Sequence, residues 1–320
     1  MSSDSTHFRL IYQKAKIGYY GNALARRIIG KNITEPHFAK NVLSGNEGNL
    51  RLEELVRKGE PFAAARFGGT ETKTIADVLY TQAGGHFGGI TDRTLDRIMQ
   101  LSGFFPADKA MLSRFTQLYL ECCPDIDLLG VWNILLQGYL ADHYTSNAEL
   151  AELRMFEPYY FEQPWTRALQ GKKVVVVHPF ANTIEKQYSK RSQIFENQDI
   201  LPEFSLRTVK AVQTLAGEKD ERFATWFDAL DYMYEECMKE EFDIALIGCG
   251  AYGFPLAAKI KRAGKQAVHI GGSLQLLFGI KGSRWDNHEV ISELYNDSWV
   301  RPAIEETIQK SEKVEGSCYW

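Results

Sequence analysis

The sequence has no long hydrophobic run. No segment approaches the apolar length that a membrane-spanning helix needs, and the residues from Met1 to His7 are polar, unlike a signal sequence. We therefore expect no transmembrane segment and a cytoplasmic location. Residues 8–30 combine an apolar stripe at helical spacing with Lys and Arg. The inner face of the membrane is the alternative location, because this basic helix is either solvated or in contact with an anionic surface.

Cysteine is scarce, and neither sign of charge is in large excess. The five cysteines are an odd number, with no Cys-x-x-Cys pair and no nearby histidine at zinc spacing, so reduced thiols are expected. The net charge is -4, whereas nucleic-acid-binding proteins typically have an excess of basic residues. Nucleic acid is therefore not expected as a partner.

Internal repeats and low-complexity segments are also lacking. With 320 residues, 44% hydrophobic and 24% charged, the chain has the composition of an ordinary globular protein with a substantial core. The pattern predicts an N-terminal helical extension over residues 1–60, an α/β domain over 61–298 and a C-terminal tail over 299–320.

The stretch from Phe242 to Lys261 is typical of a phosphate-binding turn. Ile244 to Gly248 is uncharged and too short for a helix, which predicts a strand buried on both faces. Glycines follow, and Pro255 opens a helix-forming segment. A strand, a glycine turn and a helix in this order present backbone N–H groups to an anion. The alternative is a tight turn without a ligand.

Three glycines in this turn have the spacing of a dinucleotide-binding site. Gly248, Gly250 and Gly253 match Gly-x-Gly-x-x-Gly. The next predicted strand ends in Gly271-Gly272, where such a site carries an Asp or Glu for the ribose hydroxyls. The fingerprint is incomplete, so a phosphate or nucleotide contact is favoured over a nicotinamide or flavin site.

A second junction of the same kind spans residues 62–79. A short apolar strand ends at Arg66 and runs into the turn Gly68-Gly69. Thr70 is the predicted N-cap of the following helix, and Glu71 lies in its first turn. Arg66 and Glu71 beside a glycine turn indicate an anion site with a metal. The simpler interpretation is a surface charge at each position.

The clearest strand spans residues 171–178, where four valines are bounded by basic residues and proline. It brings His178 to its carboxyl end, where a histidine that faces a ligand is expected; a structural histidine is the alternative. The helix predicted over 182–191 has four polar residues on adjoining faces, which are Thr183, Gln187, Tyr188 and Arg191.

Other polar and aromatic residues follow predicted strands or lie in loops. Residues 127–132 predict a strand that ends in Trp132, with Asn133 as the cap of the next helix. Arg284 is placed to reach a phosphate and Trp285 to stack on a base or sugar, although a capped surface loop is equally consistent with both. The glycine-rich loop 84–89 is a candidate lid.

Strands alternate with helices along most of the chain. This order predicts an α/β fold with a doubly wound, mostly parallel, Rossmann-like sheet and N-terminal helices. Ligands of such folds bind at the carboxyl ends of the strands. The glycine turns predicted above are therefore expected to meet at one edge of the sheet.

The segment Arg-Phe-Gly-Gly-Thr-Glu at residues 66–71 resembles the Arg-Phe-Gly-Asp-Gly-Glu motif of bacterial GT-D-type glycosyltransferases. Its place after an early strand and the late Gly-x-Gly stretch are similar as well, over about residues 55–290 in order. The resemblance implies a Rossmann-like fold, a nucleotide-sugar donor and an Asp-x-Glu pair that holds a divalent metal, Mn or Mg. Here Glu71 matches the Glu, while Gly69 replaces the Asp, which puts the metal in doubt.

The resemblance implies a hexosyltransferase-like enzyme that uses a UDP-sugar or another nucleotide sugar. Its acceptor would be a glycan or glycoprotein in surface polysaccharide assembly, and a homo-oligomer is left open. Glu71 is a candidate metal ligand or base, and His178 is the other candidate base. The candidate donor-binding and phosphate-binding residues are Arg66, Gly68, Gly69, Thr70, Gly248, Cys249, Gly250, Ala251, Tyr252, Gly253, Arg191 and Arg284. The candidate substrate-lining residues are Phe67, Trp132, Asn133, Phe180, Thr183, Gln187, Tyr188, Gly271, Gly272 and Trp285.

Two other function classes remain open from the sequence. A nucleotide-sugar or phosphosugar binding protein without catalysis is consistent with the missing Asp. An oxidoreductase is the third class, and an absorbance scan for bound nicotinamide or flavin would reveal it.

Overall fold

The computed structural model places the chain around one parallel sheet and describes residues 3–32, 37–85, 88–308, 312 and 316–320. The strands in these ranges are β1 Val42–Leu43, β2 Ala63–Arg66, β3 Leu128–Val131, β4 Glu149–Glu152, β5 Lys173–His178, β6 Ser205–Lys210, β7 Ile244–Ile247 and β8 Gln266–His269. The α-helices are α1 Ser3–Ile29, α2 Gly45–Lys58, α3 Gly69–Gln82, α4 Asp92–Ser102, α5 Lys109–Cys122, α6 Gln137–Tyr144, α7 Ala181–Tyr188, α8 Trp226–Met238, α9 Gly253–Arg262 and α10 Leu274–Leu277. Residues 86 and 87 of the predicted lid lie outside the described residues.

The sheet order is β1-β4-β3-β2-β8-β7-β5-β6, and every neighbouring pair is parallel. Helices cover both faces. We call the side covered by α3, α4, α5, α8 and α9 face A, and the side covered by α2, α7 and α10 face B. The predicted doubly wound, Rossmann-like α/β fold is confirmed.

Burial on both faces explains the composition of the strands. In β5, Val175 and Val177 pack into the core of face A, while Val174 and Val176 pack into the core of face B. Successive side chains of a strand point to opposite faces, so a strand covered by helices on both sides needs an unbroken apolar run. All four residues of β7 are buried for the same reason.

Two pairs of neighbouring strands send the chain to opposite faces of the sheet. From β2 the chain enters α3 on face A, while from the adjacent β8 it enters α10 on face B. From β7 it enters α9 on face A, while from the adjacent β5 it enters α7 on face B. Crevices open between the carboxyl ends of strands at such reversals. The fold therefore predicts ligand sites at β2/β8 and at β5/β7.

Side chains cap some helices but not the one at the first glycine junction. Ser44 and Glu47 form a reciprocal capping box at α2. The N-cap of α3 is Gly68, with no side-chain cap, so the prediction that Thr70 caps it is wrong. Asn133 is not a cap either, because α6 begins at Gln137 after Leu136 at φ 65°. In both places the backbone turns at a position that side-chain preference does not reveal.

The two ends of the chain contribute to the main body. Residues 1–60, predicted as a helical extension, also supply β1 at the sheet edge. In the predicted tail, Trp299 is buried and Val300 forms a parallel bridge with Ile280. Among the described residues, none of the helices has both the length and the apolar character needed to cross a membrane.

A buried carboxylate ties α2 to the turn at residues 165–169. Arg167 donates two hydrogen bonds to Glu53, at 2.7 and 2.8 Å, and Arg57 donates another at 2.8 Å. Burial by itself raises the pKa of the Glu53 carboxyl, but the hydrogen bonds from Arg167 and Arg57 outweigh burial and lower it. The ionised carboxylate therefore stabilises the fold at neutral pH.

We expect Glu53→Gln to lower the free energy of unfolding at pH 7 by about 1–3 kcal/mol, because Arg167 and Arg57 lose the charge of the buried carboxylate that they bind. The folded-state pKa of Glu53 lies below its ordinary value near 4.5, so its contribution is present above that pH and disappears as the pH falls through the lowered pKa. Urea unfolding of both proteins at pH 7 and at about pH 3.5 measures the difference. If the difference in unfolding free energy between the two proteins is as large in acid as at pH 7, the Glu53 carboxylate does not stabilise the fold through its charge.

Candidate functional site

The candidate site that contains the largest number of the predicted residues lies where β2 and β8 end side by side. We call it the main cleft; its volume is about 550 Å³. Its walls come from the β2–α3 junction, the β8–α10 junction and the segment after β3, with further residues from α1, α4, α5 and the ends of the chain. Its lining includes Tyr19, Arg26, Arg66, Gly68, Gly69, Thr70, Glu71, Lys73, Arg97, Tyr119, Trp132, Asn133, Glu157, Gly250, His269, Gly271, Gly272, Arg284, Trp285 and Tyr319.

The junctions predicted from sequence meet in this cleft. Glu71 of the first junction and Gly250 of the second both line it, although they are far apart in the chain. Gly271, Gly272 and Arg284 line it as well. The predicted convergence at the carboxyl ends of the strands is what the structure shows.

Positive charge dominates the main cleft. Five lining residues are Arg or Lys and two are Glu, whereas the whole chain carries a net charge of -4. His269 adds no charge, because burial and, to a smaller extent, the charge of the nearby Arg66 lower its pKa to about 3. Such a cleft favours an anionic ligand.

Arg66 is the central cation of the main cleft. Its guanidinium lies 4.8 Å from the centre of the Trp132 ring, and its Nε donates to the Phe67 carbonyl at 3.3 Å. Within the described part of the chain no carboxylate lies at salt-bridge distance from it. A β-carbon at Gly271 would lie 2.8 Å from Nη1 of Arg66, and Gly271 has φ +83°, so glycine is required there. The guanidinium is therefore held in place while its charge stays available.

Glu71 is fixed at the floor of the cleft. The Ser102 hydroxyl donates to its Oε1 at 2.6 Å, and only 7% of the residue is exposed. Its carboxylate folds back against Gly68, where a β-carbon would lie 1.7 Å from Oε2. Burial raises the pKa of the nearby Tyr119 hydroxyl well above its ordinary value, and the charge of Glu71 raises it further. Among the described residues, Glu71 is therefore held by the neutral Ser102 hydroxyl rather than by a cation.

A second carboxyl group, Glu157, was missed by the sequence analysis. It lies between two 3₁₀ turns, Leu153–Phe156 and Pro158–Tyr160, and lines the main cleft. Burial raises the pKa of Glu157 to about 7, against a smaller lowering by the charges of Arg154 and Arg66. A carboxyl group that titrates near neutrality in a cleft can carry a proton.

A smaller side pocket of about 100 Å³ opens at the reversal between β5 and β7. We define it by His178, Thr214, Cys249, Tyr252 and Gln275. It shares lining residues with the main cleft, so the two spaces adjoin; the shared residues are Leu101, Gly250, Gly272 and Tyr319. The predicted phosphate turn thus borders both spaces.

His178 is a hydrogen-bond donor rather than a base. Burial lowers its pKa to about 3, and its Nδ1 accepts the Phe180 N–H at 3.0 Å. The imidazole is therefore neutral at pH 7 with its proton on Nε2. Burial raises the pKa of the Cys249 thiol, which stays protonated. These groups suit an uncharged polar ligand.

The glycines of the Gly-x-Gly-x-x-Gly pattern have different roles. A β-carbon at Gly253 would lie 2.1 Å from the His269 ring, and one at Gly248 would lie 2.7 Å from Cδ2 of His178. Both glycines allow close packing of α9 and the strand end. Gly250 has φ +60°, nothing near its β-carbon position, and lines both spaces. Close packing therefore accounts for two of the three glycines.

Several predicted site residues lie elsewhere. Thr183 donates to the Glu306 carboxylate, Gln187 donates to the Ser298 carbonyl at 2.8 Å, and Tyr188 donates to the Phe204 carbonyl at 2.8 Å. Arg191 pairs with Glu203 at 2.8 Å. Phe67 is fully buried and stacks on Phe254, so it belongs to the core. Ala251 and Gly253 are absent from the described lining of both spaces.

The residues of the main cleft do not form a dedicated metal site. Within the described ranges, no three or more His, Cys, Asp and Glu side chains come together in a way that could hold a metal ion. A β-carbon at Gly69 would meet only ordinary contacts, the nearest at 3.5 Å from Ile134. Position 69 therefore has room for a side chain but provides no carboxylate. The Asp that the family resemblance implies beside Glu71 is replaced by Gly69.

Comparisons of the chain with models of protein families, with curated proteins and with solved structures found no match. The likeness to GT-D-type glycosyltransferases therefore rests on the motif residues themselves. What the chain can do has to be argued from the two adjoining spaces described above.

Proposed function

We propose that the protein transfers a sugar from a nucleotide-sugar donor, of the UDP-sugar class, to a hydroxyl group of a glycan or glycoprotein. One observation carries the proposal: the cationic main cleft brings Arg66, which has no described carboxylate partner, together with the uncapped start of α3 and the fixed carboxylate of Glu71. An anion site beside a held carboxylate suits the cleavage of a sugar-diphosphate bond.

The diphosphate would bind at the start of α3 and at Arg66. The first N–H groups of a helix carry partial positive charge, and α3 has no side-chain cap to occupy them. Arginine binds phosphate oxygens in bidentate geometry. Arg284 lies on the same cleft, with its guanidinium 5.0 Å from the centre of the Tyr319 ring. Together these groups stabilise the negative charge that grows on the leaving diphosphate.

Glu71 would act as the general base. In this step the acceptor oxygen bonds to the anomeric carbon and loses its proton to Glu71, while the bond from that carbon to the diphosphate breaks and the diphosphate keeps the electron pair. Ser102 holds the carboxylate in one orientation through Oε1, which leaves Oε2 as the proton acceptor. Trp132 offers an aromatic surface for the sugar or the base, while Trp285 lines the cleft but is only 7% exposed.

The alternative is a nucleotide-sugar binding protein without catalysis. The observation in its favour is Gly69 at the position of the family Asp. Donor hydrolysis, assayed with and without manganese, separates the two functions. Turnover supports the transferase, whereas tight binding without turnover supports the binding protein. All five cysteines are buried thiols, which is consistent with the proposed cytoplasmic location.

The binding site itself is tested with two arginine variants. We expect Arg66→Ala to weaken binding of a UDP-sugar by about 10–100-fold, since a charged hydrogen bond contributes about 1.5–3 kcal/mol. Arg191→Ala is the matched control, because Arg191 pairs with Glu203 and lies outside the described lining of both spaces. Isothermal titration calorimetry gives both dissociation constants. Equal effects of the two substitutions, or a soaked nucleotide sugar found away from the main cleft, would overturn the proposal.

A further inference from the structure

Helix α1 carries an apolar surface that no described residue covers. Nine large hydrophobic side chains are exposed in the described chain, and six of them belong to α1, which are Leu10, Ile17, Tyr20, Leu24, Ile28 and Ile29. Ile17 is 75% exposed and Ile28 is 71% exposed. Scattered exposed apolar residues are ordinary, but six on one helix form a patch that calls for a partner.

Four of these side chains form a stripe on the outer side of the helix. At about 100° per residue, Leu10, Ile17, Leu24 and Ile28 project within about 40° of one another. They lie roughly opposite Phe8 and Tyr12, which are buried. The inner side is fixed to the body because the Tyr12 hydroxyl donates to Asp77 at 2.8 Å. The stripe, which we call the outer stripe, therefore has no role in the core.

The charges around the outer stripe have one sign. Between residues 3 and 31 the sequence has six Lys and Arg residues and one Asp, in a chain of net charge -4. Lys14 and Arg27 are exposed and lie on either side of the stripe, each within about a quarter turn of it. An apolar stripe between cations is the pattern of helices that lie in the plane of a membrane surface.

We propose that α1 binds the surface of an anionic phospholipid bilayer, with the outer stripe among the acyl chains and Lys14 and Arg27 at the headgroups. Charge selects this partner over a second copy of the chain, since pairing two α1 helices would bring like charges together. Tyr19 and Arg26 of the same helix line the main cleft, so binding would hold the cleft beside the headgroups. The proposal does not depend on the transferase activity.

The test uses the whole protein and vesicles of defined composition. We expect cosedimentation with vesicles of phosphatidylcholine and phosphatidylglycerol, little with phosphatidylcholine alone, and weaker binding at high salt. The double substitution Ile17→Asp and Leu24→Asp should weaken binding at least tenfold. Lys14→Glu with Arg27→Glu should weaken it by at least fivefold per residue. Ile304→Asp is the matched control, because Ile304 is 87% exposed and lies outside α1.

Melting temperatures of the variants show whether they fold, and the outer stripe makes no core contact, so little change is expected. Equal binding to neutral and anionic vesicles would overturn the proposal. So would a dimer, seen by light scattering, that the Ile17 and Leu24 substitutions dissociate, because a second copy would then cover the stripe. A loss of vesicle binding in Ile304→Asp equal to that of the double variant would also contradict it.

Discussion

Replacing Glu71 by Gln is expected to reduce sugar transfer by about 10²–10⁴-fold while leaving donor affinity within a few-fold of that of the wild type. Gln keeps the shape of the side chain and can still accept the 2.6 Å hydrogen bond from Ser102, but it cannot take a proton from the acceptor. The measurement is single-turnover kinetics with a UDP-sugar and an excess of acceptor, alongside donor binding.

Ser102→Ala is the companion variant for Glu71. It removes only the hydroxyl that orients Oε1 and keeps the Glu71 carboxylate. We therefore expect a smaller loss in the rate of transfer, of about tenfold. An unchanged rate in Glu71→Gln would contradict the assignment of Glu71 as the base. Glu157, whose pKa is raised to about 7 by burial, would then be the candidate base. In that case Glu157→Gln should lose the activity.

Gly68→Ala is expected to lower the rate of transfer by about 10²-fold without unfolding the protein. A β-carbon there would lie 1.7 Å from Oε2 of Glu71, so the carboxylate has to leave its position. The carboxylate is the end of a flexible side chain and Gly68 has φ -86°, which alanine adopts without strain, so the cost in stability should be about 1 kcal/mol. Displacing a catalytic group by an ångström can cost this much in rate.

Gly69→Ala is the matched control for Gly68→Ala. It adds the same methyl group one residue later, where the nearest atom is 3.5 Å away in ordinary contact. We expect thermal unfolding to show that both variants fold, and kinetics to show a much larger loss of rate in Gly68→Ala, because Gly69→Ala leaves the Glu71 carboxylate in place. Similar activity in the two variants would show that the position of the Glu71 carboxylate does not matter for the reaction.

The fold was largely readable from the sequence because buried parallel strands have a strong signature. The uncharged apolar runs of β5 and β7 are bounded by turn residues and predict strands without ambiguity. β1 and β4 were missed, since two residues at an edge and the sequence Glu-Leu-Ala-Glu carry no such run. The starts of α3 and α6 were misplaced because backbone conformation at Gly68 and Leu136 sets them.

The site could be predicted only where it follows a strand. Residues such as Arg66 and Gly271 stand at strand ends, and the rule that carboxyl ends share one edge brings them together. Neither Ser102 nor Glu157 follows a strand. Ser102 is the last residue of a surface helix, and Glu157 lies between irregular turns. Tertiary packing brings Glu157 to the main cleft and brings Ser102, which lines the side pocket, to Glu71. Thr183 and Arg191 show the converse case. They were predicted to lie on adjoining helix faces at the site, but tertiary packing places them away from both spaces.

The pairing of β2 with β8 delays completion of the sheet during synthesis of the chain. Ala63 lies beside Ala267, about 200 positions later in the chain, so the ribosome has released most of the polypeptide before this contact can form. Until β8 inserts, β2 and β7 each present an unpaired edge at the middle of the unfinished sheet. A nascent chain that stalls before residue 266 therefore lacks the β8–α10 wall of the main cleft and has two exposed strand edges that invite aggregation.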